Sequence, residues 1–161
     1  MTDLSVRVMK LEPMKVATAH AVSTSPERDA WEKMRAWAEP RGLLDNPEEH
    51  RVFGFNNPSP SEGRKEYGYE FWIGVGTAAV GEGEIQVKDF AGGLYAVTTC
   101  RLVGDPAGSV PQVWKSLWDW AQHSGKYRWR KTHELEHCRN PQADEKDIEL
   151  DLYLPIEERP S

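Results

Sequence analysis

The chain has 161 residues, a formal net charge of −6 and two cysteines. That length suffices for one good core or two small pseudo-domains, and the acidic balance argues against nonspecific nucleic-acid binding, which needs a basic surface. Cys100 and Cys138 are far apart with no CxxC spacing, so they read as reduced thiols of a cytoplasmic protein, neither a disulfide frame nor a zinc site.

From Val6 to Val22 the pattern is extended and broken at Pro13, which predicts a strand with a bend. Ser25 before Pro26 marks a helix start. Ala30, Trp31, Met34, Trp37 and Ala38 then recur at helical spacing as far as Arg41, with Gly42 as the stop. Arg51–Phe55 and Tyr67–Val75 are extended, joined by a turn through Asn57-Pro58-Ser59-Pro60 and Gly63. Gly81-Glu82-Gly83 is a linker and not a phosphate loop, because a strand follows it where a phosphate cradle opens a helix.

The order then repeats. Ile85–Phe90 and Leu94–Val103 are extended, with Gly92-Gly93 at the bend. Ser109 and Gln112 form a capping box. Val113, Trp114, Leu117, Trp118 and Ala121 make a helical stripe over Val110–Ser124, stopped by Gly125. The run Tyr127-Arg128-Trp129-Arg130-Lys131 mixes basic and aromatic residues and is taken as a solvated strand entry, with no direct nucleic-acid contact expected. His133–Cys138, a turn at Asn140-Pro141 and Ile148–Ile156 complete the chain. No apolar run approaches 18 residues and the start, Met1-Thr2-Asp3, lacks a signal peptide's regions, so no membrane partner is expected.

An offset of 83 carries Trp31 to Trp114, Trp37 to Trp120, Gly42 to Gly125 and Asn57-Pro58 to Asn140-Pro141. A turn two residues shorter then places Trp72 on Tyr153. Such a shared offset is an internal repeat, with pseudo-repeats at 5–80 and 84–158 of a single domain, each a strand–helix–strand–strand unit. It also decides the string HELEH at 133–137, which matches the zinc-protease pattern HExxH. That chemistry needs a helix, where i and i+4 share a face, whereas in a strand the two histidines stand about 13 Å apart. The offset puts His133–His137 on His50–Gly54, which leads into a strand, and Asn140-Pro141 cuts the segment off. HELEH is predicted to be a strand, with no metal and no cofactor.

The runs Lys65-Glu66-Tyr67-Gly68-Tyr69-Glu70-Phe71-Trp72, Phe90-Ala91-Gly92-Gly93-Leu94-Tyr95-Ala96 and Leu135-Glu136-His137-Cys138-Arg139-Asn140-Pro141 resemble the GyrI-like family over nearly the whole chain. That family includes the effector-binding domains of AraC-type and multidrug-sensing regulators and stand-alone forms. The resemblance implies an α+β fold: two duplicated units forming a curved antiparallel sheet, helices on one face and a ligand cleft at the pseudo-dyad. It implies a lipophilic, often cationic ligand held by a glutamate in an aromatic pocket. That glutamate falls on Glu136, with Cys138 where the family usually has tyrosine.

Alternation puts Glu134, Glu136 and Cys138 on one face and His133, Leu135 and His137 on the other. Leu135 is expected to face the helices, turning Glu136 to the cleft beside Phe53 and Phe55. Glu70 and Trp72 are expected on the cleft side, with Asp151 and Tyr153 as their repeat partners. Carboxylates flanked by aromatics suit an organic cation. The expected ligand-binding set is therefore Glu136, Cys138, Phe53, Phe55, Glu70, Trp72, Tyr95 and Tyr153, with Tyr95 either lining the cleft or packing at the bend. Trp31, Trp37, Trp114 and Trp120 are taken as core. The chain is read as a stand-alone binding protein for a small hydrophobic or cationic ligand, acting alone or with a separate regulatory protein. A hydrolase of strained cyclopropane-bearing electrophiles, with Glu136 or Glu70 activating water, is the alternative. Inhibition of a macromolecule such as DNA gyrase is a third reading, carried by the family name alone.

Overall fold

The computed structural model describes residues 4–160. In chain order the elements are β1 (Arg7–Leu11), β2 (Met14–Ser23), α1 (Pro26–Ala38), β3 (Val52–Asn56), β4 (Tyr67–Val75), β5 (Gln86–Phe90), β6 (Gly93–Arg101), α2 (Val110–His123), β7 (Tyr127–Trp129), β8 (Leu135–Cys138) and β9 (Glu149–Glu158). The fold is α+β, and the chain divides into two compact units, one of Pro13–Ala91 and one of the chain up to Glu12 with Gly92 onward.

In the unit of residues 13–91 the antiparallel strands run β5-β2-β4-β3. Register decides what each face carries. Thr18 lies opposite Trp72 and His20 opposite Glu70, while Ala17 and Ala19 lie opposite Ile73 and Phe71. The alanine row leaves room for α1, whose Ala30, Met34 and Ala38 are buried, and Trp31 meets Phe71 with ring centroids 5.2 Å apart. Glu70, Trp72, Phe53 and Phe55 consequently point away from the helix, as the alternation of β4 predicts. Pro26 opens α1 as expected, but Ser25 makes no side-chain cap. Ser23 ties the chain entry to the helix instead: its hydroxyl accepts from the Ser25 N–H (3.1 Å) and donates to Asp29 (2.6 Å). The helix ends at Ala38 and tightens into a 3-10 turn through Arg41, with Gly42 left-handed at φ 71°.

In the other unit the antiparallel order is β1-β6-β9-β8. The last residues of β9 also carry the three-residue β7, so the basic–aromatic run enters the sheet as a short strand. Leu150, Leu152, Leu154 and Ile156 alternate along β9 and cluster with Val113, Leu117 and Ala121 of α2. At about 25 cal/mol per Å² of apolar area, this stripe is what fixes α2 to the sheet. The capping box holds: Ser109 Oγ accepts from Gln112 N (3.4 Å) and Gln112 Oε1 from Ser109 N (2.7 Å).

The packing units differ from the sequence repeats at their outer strands. β1 pairs β6 and β5 pairs β2, because the break at Pro13 separates β1 from β2 and lets each take its own partner. No helix among the described residues is long and apolar enough to cross a membrane.

Candidate functional site

HELEH is extended, not helical: Leu135–Cys138 is strand β8 and His133 precedes it. Its register corrects the sequence reading. Leu135 lies opposite Tyr153 and Glu136 opposite Leu152, and Leu152 belongs to the α2-facing stripe. Leu135 is therefore on the face away from α2, and Glu136, expected on that face, points at the helix instead. Trp114 of α2 donates its indole N–H to Glu136 Oε2 at 3.2 Å. Glu134, two residues earlier on the same face, is hydrogen-bonded to Trp118; burial pushes its carboxyl up and that bond offsets part of the rise. Cys138 follows on this face, packed against the α2 cluster, and burial raises its thiol to about 11. Trp118 also meets Trp129 of β7, centroids 5.5 Å apart, and Trp129 is exposed. Two half-buried carboxylates thus lie two residues apart, at the start of β8 and just before it, each tied to an indole, with a third indole at the solvent edge.

The opposite face of this unit holds a different arrangement. Asp151, 5% exposed, receives Arg7 Nη2 at 3.1 Å and Thr99 Oγ1 at 2.5 Å, with His137 Nδ1 at 3.3 Å and Arg139 Nε at 3.8 Å. Burial would raise its carboxyl, but the bonds from His137, Thr99 and Arg7 outweigh that and bring it down to about 2. Tyr95 and Tyr153 are both buried and meet edge to face at 5.6 Å, and the Arg130 guanidinium lies 5.1 Å from the Tyr95 ring centre. Tyr95 and Tyr153 thus share the face of the sheet away from the α2 stripe.

In the unit of residues 13–91, Phe53, Phe55, Glu70 and Trp72 come together on the face away from α1. Phe55 meets Trp72 at 4.9 Å, and Phe90 of β5 meets Trp72 at 5.1 Å. Glu70, 8% exposed, accepts from Trp72 Nε1 (2.5 Å), Asn57 Nδ2 (3.2 Å) and Lys88 Nζ (3.3 Å). Burial pushes this carboxyl up, but the Trp72, Asn57 and Lys88 contacts together hold it below its ordinary range. A water-activating base needs the reverse shift, so Glu70 is poorly suited to the hydrolytic reading.

Sequence reasoning did not assign Trp114 and Trp118 as carboxylate partners, Lys88 as the cation on Trp72, or the donors around Asp151. The i, i+4 spacing of Trp114 and Trp118 was the available signal for the first pair, since it puts both indoles on one helix face.

With this geometry in hand, comparison with known proteins is specific at the level of family. The family model described as Cass2, integron-associated effector binding protein, matches residues 7–156. Among curated proteins none matches the chain in sequence. Solved structures share the fold, among them these three. A chain of the EcmrR–DNA complex aligns at TM-score 0.68 and 15% identity over 96% of this chain, which spans 58% of that one. The Vibrio cholerae integron cassette protein VCH_CASS2 aligns at 0.53 and 13%, over 94% of this chain and 95% of that one. SAV2435 bound to tetraphenylphosphonium aligns at 0.56 and 12%, over 96% and 94%. The chain belongs to the Cass2 family of integron-associated effector binding proteins, with a GyrI-like α+β fold.

Proposed function

We propose that the effector is a hydrophobic organic cation and that Glu136 reads its charge from beneath α2. The observation that carries this is the hydrogen bond from the Trp114 indole to the half-buried Glu136 carboxylate (3.2 Å), with Glu134 and Trp118 repeating the arrangement one step along the strand. A counter-charge compensates the lost hydration of a half-buried carboxylate. An entering cation displaces the indole N–H from Glu136 and takes up the ring faces of Trp114, Trp118 and Trp129, so that charge and quadrupole attract it together. The likeness in fold to SAV2435, whose structure holds the lipophilic cation tetraphenylphosphonium, supports the same ligand class. A separate regulatory protein would then sense occupancy through α2, which covers the carboxylates.

The test is a titration of tetraphenylphosphonium against a neutral triaryl compound of similar size, followed by tryptophan fluorescence. Glu136→Gln is expected to weaken the cation by about 1–3 kcal/mol, roughly 5- to 150-fold, and to leave the neutral compound nearly unchanged. Equal loss for both would make Glu136 a shaping residue, and no loss for either would put the site elsewhere.

A further inference from the structure

On the face of β9 turned away from α2, charged residues stand in two rows across three strands. Thr99 of β6 and His137 of β8 both lie opposite Asp151. In the next row Arg101 lies opposite Glu149 on one side, and on the other the Arg139 N–H bonds the Glu149 carbonyl at 3.0 Å. Arg7 reaches in from β1, giving one N–H to Thr99 and one to Asp151, both at 3.1 Å. Asp105, beyond the end of β6, takes the backbone N–H groups of Arg101 and Ala107 and not the Arg101 guanidinium. Three guanidiniums thus meet two carboxylates on this face, a local surplus of positive charge on a chain whose net charge is −6. That surplus is at the surface. The side chains of Arg7 and Arg139 are 45% and 50% exposed. Arg101 is exposed as well and makes no ion pair among the described residues.

We propose that this end of the sheet binds a compact phosphate-bearing anion through Arg7, Arg101 and Arg139. A planar guanidinium presents a fork of N–H donors that fits phosphate oxygens in pairs. Arg7 is held on its inner side by Thr99 and Asp151, and the rest of its fork is left for a ligand. Arg139 is bound more loosely. Its Nη1 lies 3.5 Å from Glu149 and its Nε 3.8 Å from Asp151, both beyond ordinary hydrogen-bond length. The backbones of Arg101 and Arg139 flank β9 about 10 Å apart, two strand spacings, a gap that two arginine side chains close on one phosphate. Glu149, half exposed, is then the anion's competitor for Arg139 and turns to water when the anion arrives. A phosphate monoester carries about −1.5 to −2 of charge and three acceptor oxygens, more than the single charge of Glu149. A long polyanion is disfavoured, because the acidic balance of the rest of the chain repels it, so the ligand is a small molecule. The site shares no residue with the one assigned to Glu136, which is on the α2 side of the sheet.

The experiment titrates pyrophosphate into the full chain by calorimetry at low ionic strength, beside a single-stranded oligothymidylate as a source of phosphodiesters. Pyrophosphate is expected to bind and the oligonucleotide not to. Arg101→Gln and Arg139→Gln are each expected to weaken pyrophosphate at least about fivefold, and Arg7→Lys, which keeps a cation on Asp151 but loses the fork, about threefold. Glu149→Gln, which removes the competing carboxylate, is expected to tighten it at least about threefold. Arg35→Gln on α1, exposed and paired with Glu39, controls for charge alone and is expected to change little. Arg101, Arg139 and Glu149 are exposed, so their variants keep the fold, which circular dichroism verifies. Absence of pyrophosphate binding in both the wild type and Glu149→Gln overturns the proposal. So does an oligonucleotide that binds more tightly than pyrophosphate, or a loss in Arg35→Gln equal to that in Arg139→Gln.

Discussion

Asp151→Ala is expected to lower the stability of the protein by about 2–3 kcal/mol, because it removes a buried charged acceptor from Thr99 and His137, while Arg7 and Arg139, about half exposed, return to water. Asp151 is 5% exposed and is the common partner of Arg7, Thr99, His137 and Arg139. The same cluster sets a pH dependence. The folded carboxyl titrates at about 2 against an ordinary 3.8. A depressed carboxylate contributes stability that is present above the unfolded value and is lost as pH falls through the folded one. The window is therefore about pH 4 to 2, and the loss about 2 kcal/mol from this group. Urea midpoints followed by circular dichroism between pH 7 and pH 2 measure both effects. Asp151→Asn is expected to flatten the acid limb, and an acid limb as steep as wild type would contradict the assignment of that stability to Asp151.

Gly92→Ala is expected to cost about 3 kcal/mol or more, since two separate penalties fall on one residue. Gly92 has φ +73°, the left-handed region that side chains disfavour, and a Cβ there would stand 2.1 Å from the Leu11 carbonyl oxygen. That oxygen is backbone of β1, whose Leu11 lies opposite Gly93 in the ladder to β6, so it cannot rotate aside as a side chain would. Strain and collision add to more than an ordinary overpacked site, which costs about 1–3 kcal/mol. Thermal unfolding checks this. Gly83→Ala also sits at positive φ (+62°) but has open space around it, and it is expected to show the strain alone.

How far the sequence determines the site can be followed along the repeat. Ala30, Met34 and Ala38 of α1 and Val113, Leu117 and Ala121 of α2 are buried at matching positions, 83 residues apart, because a helical stripe against a sheet leaves a 3.6-residue signature. Trp72 and Tyr153 match at 81. Between them, Phe53 faces Trp72 and Leu135 faces Tyr153, so Phe53 matches Leu135 at 82. The two missing residues are thus split between two loops, whereas the Asn57-Pro58 and Asn140-Pro141 match assigned both to one. A single-residue slip turns every side chain of a strand to its other face, which is why Glu136 and Cys138 were legible as a pair but not on the helix side. Loop residues carry no periodicity that could locate such a gap. Glu70 and Trp72 escaped the error because the alternation of β4 was read against its own apolar row and not by transfer from the other repeat. The carboxylate partners were less legible still. Lys88 reaches Glu70 only because β5 joins β2, a pairing that links strands 18 residues apart on the contacting side chains and leaves no local pattern.

The most direct measurement is the electron density of this protein crystallised with tetraphenylphosphonium. The phosphorus is expected within about 6 Å of the Glu136 carboxylate, the distance over which charge and ring faces act together, on the α2 side of β8 and with the Trp114 indole moved off Glu136. A cation bound on the other face of β8, with the bond from Trp114 to Glu136 intact, would contradict it.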